Sequence, residues 1–192
     1  MTASSFVILT GYRCTGKTTL AALLGKLLCA NVLDTDKEIE KKYQTSVSEI
    51  FAQKGETDFR NKESEIISEI ITNRTAGYHP PFVKPLVKPL VLSTGGGAVI
   101  RPENRSMLRE NGYVVWLTAS PEVILQRLQN DAQTATLRPS LTSLPMLDEI
   151  KTLLEIRRPF YEETAHVTIN TDEQSPEKIA EIIVEAVNTG NK

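Results

Sequence analysis

The stretch FVILTGYRCTGKTTLAALLGKLLC, Phe6–Cys29, decides the fold. Its first six residues, Phe6–Gly11, form a dense apolar run ended by glycine, the pattern of a buried strand. From Lys17 onward, leucines recur at Leu20, Leu23, Leu24, Leu27 and Leu28, which is one face of a helix. Between the two lies GYRCTGKT, Gly11–Thr18, which satisfies G-x-x-x-x-G-K-[ST] in full. In such a loop successive N–H groups turn inward toward phosphate oxygens, and the next helix adds the positive end of its dipole. Lys17 is placed to reach the β- and γ-phosphates, and the Thr18 hydroxyl to take a place on Mg2+. Gly11, Cys14, Thr15, Gly16, Lys17, Thr18 and Thr19 are therefore expected to hold a nucleoside triphosphate.

Outward from this loop, strand and helix alternate. Asn31–Asp36 reads as a second short strand with acids at its carboxyl end. Short helices follow around Lys37–Lys41 and Ser46–Gln53, then a longer one from about Asp58 to Arg74 carrying Phe59, Ile66, Ile67, Ile70 and Ile71. Four prolines between Thr75 and Leu90 rule out an uninterrupted helix there. Leu90–Gly97 reads as a strand and a glycine turn, followed by helix (Pro102–Glu110), strand (Tyr113–Leu117) and helix (Pro121–Gln129). Asn130–Pro145 is polar and without period, which suggests a mobile loop. Met146–Tyr161 is helical, with Pro159 kinking or ending it; His166–Asn170 and Pro176–Val187 are a last strand and a last amphipathic helix. The expected architecture is one α/β domain over residues 1–192, a three-layer α/β/α arrangement around a five-stranded, mostly parallel sheet.

Composition bounds the function. The 192 residues are 40% hydrophobic and 24% charged with formal net charge -2, a globular balance without a basic stripe. No nucleic-acid partner is expected. No apolar stretch approaches the ~20 residues that cross a bilayer, and the start lacks the charged region of a signal peptide. Two cysteines, Cys14 and Cys29, make a poor disulfide framework; Cys29 reads as a buried apolar residue, and a reduced, cytoplasmic setting is expected.

The remaining motifs bear on what receives the phosphate. The chain is too short for a partner-reading domain, and no Asn-Lys-x-Asp stretch follows a late strand, so transfer to a small molecule is favoured over hydrolysis. In LDTD, Asp34 and Asp36 alternate at the strand end, so one can face a metal and the other an acceptor hydroxyl, orienting it and taking its proton. The plainer reading is that both acids open the next helix. FRNKE spaces Arg60 and Glu63 as an i,i+3 pair, which on a helix surface is worth a few tenths of a kcal/mol. TGGG, Thr94–Gly97, allows the backbone to approach a ligand closely; LRPS puts Arg138 in the polar loop, and IRRPFY places Arg157 and Arg158 before a proline.

In this order GYRCTGKTTL, LDTDKEIE, GETDFRNKE, STGGGAVIRPENRSMLRENGYVVWLTASPE, LRPS, RRPFYEETA and SPEKIAEIIVEAV together resemble the shikimate kinases, small P-loop kinases that phosphorylate the 3-hydroxyl of shikimate with ATP. The resemblance runs through nearly the whole chain. It implies that Asp36 holds the ring hydroxyls as base or orienter, and that Arg60 and Arg157 clamp the shikimate carboxylate. The backbone at Gly96 and Gly97 would line the ring, Thr18 would bind Mg2+ directly and Asp34 would do so through water. Arg138 would come from a lid at about 130–145 to neutralise the transferring phosphoryl group, and the loop near Asp172–Pro176 would touch adenine. Residues 37–75 would be the substrate-binding helical part, and the protein a monomer. The sequence departs from the family pattern at Cys14, where a glycine is common, and in the longer proline-rich segment 80–89. Arg158 would be the clamp only in another helix register. Gluconate-type and nucleoside monophosphate kinases share the phosphate loop and stand as alternatives, as does a non-catalytic ATP-binding regulator.

Overall fold

The structure is a computed structural model that describes residues 6–75, 89–130 and 145–189. Residues 80–88 of the proline-rich segment, Arg138 and nearly all of the expected lid lie outside these residues. The described residues contain five strands: β1 (Phe6–Thr10), β2 (Asn31–Asp34), β3 (Leu90–Ser93), β4 (Tyr113–Thr118) and β5 (Val167–Asn170). They form one sheet in the order β2-β3-β1-β4-β5, and every pairing is parallel. The helices are α1 (Lys17–Leu27), α2 (Thr35–Tyr43), α3 (Val47–Thr75), α4 (Pro102–Asn111), α5 (Pro121–Asn130), α6 (Met146–Thr164) and α7 (Pro176–Thr189), with a 3-10 turn at Ala98–Ile100.

Strand side chains alternate between two cores. Phe6, Ile8, Leu90, Leu92 and Val114 pack with Ile39, Phe59, Ile67 and Leu108 of α2, α3 and α4. Val7, Leu9, Val91, Val115 and Leu117 pack on the opposite face with Leu20 and Leu24 of α1 and Ile179 and Ile183 of α7. A parallel sheet buried on both faces needs such uninterrupted apolar strands, and the three-layer architecture follows.

Four local expectations are corrected. Leu27 is exposed, because α1 ends there and its buried stripe is Leu20, Ala21 and Leu24. Cys29 is also exposed: it takes a left-handed φ of 49° just past the helix, where Cys29 N donates to Lys26 O and Ala30 N to Gly25 O, a Schellman closure. The second strand stops at Asp34, and Asp36 belongs to the first turn of α2. Of the two expectations for Pro159, a kink or an end, the end is corrected: the proline lies inside α6, which continues to Thr164, and Tyr161 and Thr164 beyond it are buried.

The helix boundaries have local causes. At the start of α3, Ser46 Oγ accepts from Glu49 N while Ser46 N donates to Glu49 Oε2, a capping box. Within α3 the backbone leaves helical geometry at Gly55, φ 78° and ψ 178°, so a short segment precedes the long one that carries Arg60 and Glu63. Register then aligns the strand ends: Asp34 pairs with Ser93, Ser93 with Leu9, and Leu9 with Val115. The loops that leave these carboxyl ends share one edge of the sheet, the place where α/β sheets build sites.

Candidate active site

The phosphate loop runs from β1 into α1. Gly11 and Gly16 have φ of 141° and 90°, and Cys14 a left-handed φ of 60°, so the residue expected to fit without glycine's freedom adopts glycine's conformation. Helix α1 starts at Gly16 without a side-chain cap and without an acid in its first turn. Its leading N–H groups and dipole are thus left for an anion. Lys17 Nζ donates to Gly11 O (2.8 Å) and Tyr12 O (2.7 Å), which holds the buried ammonium across the loop. Thr15 Oγ1 donates to Tyr12 O at 2.8 Å and closes the curl, while Thr18 and Thr19 are exposed at the start of the helix.

Asp34 is the N-cap of α2, its Oδ1 accepting from Asp36 N (3.1 Å) and Lys37 N (3.4 Å). The helix-opening reading is therefore right for Asp34 as geometry. It fixes the carboxylate at the end of β2, level with the phosphate strand. Asp36, two residues further in the first turn of α2, faces the glycine turn: a Cβ added to Gly95 would lie 3.0 Å from Asp36 Oδ1 and 2.5 Å from Glu63 Oε1. A larger residue at position 95 would require the Glu63 carboxylate to shift.

The turn Gly95–Gly97 ties the parts together. Gly95 N donates to Thr35 Oγ1 at 2.9 Å, and Thr94 N to Leu9 O at 3.1 Å. A Cβ at Gly96 would come within 3.3 Å of Arg13 N and Gly11 O, so this turn rests directly on the phosphate loop. A Cβ at Gly97 would run into the Arg60 guanidinium. Arg157 Nη1 donates to Gly96 O (3.3 Å), and Tyr161 Oη donates to the same oxygen at 2.5 Å. The two expected arginines thus meet at one turn although α3 and α6 are far apart in sequence. Arg157 is buried and Arg158 exposed, which selects the register with Arg157 inside.

Arg60 is 8% exposed and donates from Nη1 to Glu63 Oε2 at 2.7 Å and from Nη2 to Glu56 Oε1 at 3.0 Å. The i,i+3 pair exists, but inside the protein. Burial works against the Arg60 charge; Glu63 and Glu56 outweigh it and raise its pKa. Burial pushes the fully enclosed Glu63 carboxyl above its ordinary value, against the pull of Arg60, Arg157 and Arg101. Two buried cationic forks at one turn suit a planar carboxylate, since an unmatched buried charge is costly.

Several contributors were not singled out from the sequence. Tyr161 hydrogen-bonds the glycine turn and stacks on Trp116 with centroids 5.4 Å apart. Arg13 Nη2 pairs with buried Glu149 Oε1 at 3.1 Å, joining the phosphate loop to α6. Arg127 Nη1 donates to Cys14 O at 3.2 Å. These partners are separated by more than a hundred residues in the last two cases, and no local pattern announces such pairs.

Comparison with known proteins agrees with this geometry. A sequence model of the shikimate kinase family matches residues 13–188. The chain is 38% identical over 178 residues to a shikimate kinase of Caldicellulosiruptor saccharolyticus, covering 93% of this chain and 92% of that one. It is similar to the structure of the shikimate kinase from Acinetobacter baumannii in complex with shikimate, with a TM-score of 0.82 and 32% identity over 97% of this chain and 94% of that one. The shikimate kinase structure from Bacteroides thetaiotaomicron gives 0.78 at 29% identity, over 96% and 98% of the two chains. With a phosphate loop, a glycine turn and two buried arginines brought to one sheet edge, this chain belongs to the shikimate kinase family.

Proposed function

We propose that this protein transfers the terminal phosphoryl group of ATP to the 3-hydroxyl of shikimate, giving shikimate 3-phosphate and ADP. The observation that carries the reading is the meeting of Arg60 and Arg157 at Gly96–Gly97, directly against the phosphate loop. The nucleotide phosphates and a carboxylate-bearing acceptor would therefore occupy adjoining spaces.

The residues divide the work as follows. Arg60 and Arg157 hold the acceptor carboxylate and fix which hydroxyl points at the phosphate loop. Asp36 accepts a hydrogen bond from that hydroxyl and takes its proton as the oxygen forms a bond to the γ-phosphorus. The bond between that phosphorus and the bridging oxygen breaks, and the electron pair leaves with ADP. Lys17 and the leading N–H groups of α1 stabilise charge on the phosphoryl oxygens. Arg138, from the lid, would add a further positive charge there.

Mg2+ fits the donors present. Thr18 stands exposed at the start of α1, and Asp34 is fixed at the neighbouring strand end with Oδ1 committed to its cap, leaving Oδ2 to reach the ion through water. Among the described residues no group of three or more His, Cys, Asp or Glu side chains could hold a metal. An ion held mostly by phosphates and water needs no such cage. When bound, Mg2+ supplies charge neutralisation on the phosphates. We further propose a cytoplasmic monomer with ATP and shikimate as its small-molecule partners.

A coupled ADP-release assay with Mg2+–ATP and shikimate, quinate, gluconate, AMP or CMP tests the reading. Turnover is expected with shikimate; turnover confined to gluconate or a nucleotide would transfer the assignment to that acceptor.

A further inference from the structure

Tyr12 and Arg13 stand in the phosphate loop, yet the side chains of both reach α6. Arg13 Nη2 donates to Glu149 Oε1 at 3.1 Å, and the Glu149 side chain is only 1% exposed. The Tyr12 ring packs with Ile124 and Leu128 of α5 and with Ile150 of α6. Its centroid lies 5.6 Å from the guanidinium carbon of Arg13 and 5.8 Å from that of Arg157. Through its backbone, Arg13 also adjoins the glycine turn, since a Cβ on Gly96 would lie 3.3 Å from Arg13 N. One loop residue therefore touches both the turn at the clamp and the helix that carries Arg157.

Helix α6 presents Arg157 from between two polar anchors. Tyr161, one turn beyond it, donates to Gly96 O. Glu149 precedes Arg157 by two turns, about 12 Å along the axis at 1.5 Å per residue. The first half of the helix also packs Ile150, Leu153 and Leu154 with Ile124, Leu125 and Leu128 of α5. Apolar packing sets no direction, whereas a charge-assisted hydrogen bond fixes both distance and angle. The difference matters at Arg157, whose Nη1 already stands 3.3 Å from Gly96 O. A small slide of α6 carries that donor beyond hydrogen-bond reach and takes the guanidinium fork out of line with Arg60.

We propose that Arg13 and Glu149 are a positioning pair: they seat α6 on the phosphate loop and so set Arg157 for the acceptor carboxylate. The proposal rests on the assignment of Arg157 to the shikimate clamp. It gives the phosphate loop a second task, on the acceptor side, separate from its hold on the nucleotide.

The test compares Arg13→Met and the double variant Arg13→Met/Glu149→Leu with the unsubstituted protein, in thermal melts and in kinetics with shikimate and ATP varied in turn. Arg13→Met leaves a buried carboxylate without this partner and should melt earlier. The double variant fills the same space with apolar groups and should recover most of that loss. In both variants the shikimate KM should rise about tenfold, the worth of one charge-assisted hydrogen bond, with the ATP KM within about threefold. If Arg13→Met does not fold, the double variant carries the test alone. A pair that serves stability only would return the shikimate KM of the double variant to within about twofold of the unsubstituted value, and that result overturns the proposal. A rise confined to the ATP KM would also overturn it, by placing Arg13 on the nucleotide. Phosphorylation of another acceptor but not of shikimate by the unsubstituted protein would instead overturn the clamp assignment, and this inference with it.

Discussion

Arg60 donates along its own helix to Glu56 and Glu63 and lies against Gly97 across the cleft. Its removal therefore has two effects at once. Arg60→Ala would strand Glu63 in a fully buried position, which costs about 3–5 kcal/mol of stability in addition to any loss of substrate. Arg60→Lys keeps the charge beside Glu63 but lacks the planar fork. It is expected to raise the shikimate KM at least about tenfold with the ATP KM within about twofold. Steady-state kinetics with each substrate varied in turn checks this, and a shikimate KM equal to that of the unsubstituted protein would remove Arg60 from the clamp. FRNKE displayed the pair in the sequence, yet a surface pair of the same spacing would matter little. What turns it into a site is burial against Gly97, which does not lie nearby in the chain. Asp36 shows the same limit: its proximity to Asp34 and an opening of the next helix were legible as alternatives, its position against Gly95 was not.

At the scale of elements, α3 is two helical segments hinged at Gly55, and the second presents Arg60. A Cβ at Gly55 would meet no atom within 4 Å, so substitution there isolates the cost of a positive φ. Gly55→Ala is expected to lower stability by about 1–2 kcal/mol through the backbone alone, read as a shift in the denaturation midpoint with an unchanged m-value. Element boundaries were largely legible because their causes are local: the Ser46–Glu49 capping box and the glycine after β1 can both be read in the chain. Where the sequence reading erred, tertiary anchoring prevailed. Pro159 deprives α6 of one N–H, but Tyr161 beyond it is bonded to Gly96 and stacked on Trp116, and these contacts carry the helix past the proline.

Over the whole molecule, the alternation of strand and helix was enough to give the layers, because the composition of β1, β3 and β4 reflects burial on two faces. The strand order and the braces across it depend on partners distant in sequence. One such partner is His166, beside β5, whose Nδ1 accepts from Val114 N at 3.1 Å, an arrangement open to neutral imidazole alone. Burial, and then the charge of Arg109, lower its pKa from the ordinary 6.5. The unfolded chain takes up this proton first, so this residue's contribution to stability falls as pH drops below 6.5 toward the lowered folded value. Thermal midpoints at about pH 7.5 and 5.5 should fall further for the unsubstituted protein than for His166→Gln, and equal falls would exclude the imidazole as the cause. The order β2-β3-β1-β4-β5 also has a temporal side. β1 and β2 are synthesised first, yet neither pairs with the other; each waits for β3, which arrives only after α3 and the proline-rich segment. Closing that long loop has an entropic cost before any ladder bond repays it. A nascent chain ending at residue 88 should thus leave β1 amides exchanging at unprotected rates, whereas one ending at residue 130 should protect them; protection in the shorter chain would show that the sheet can begin without β3.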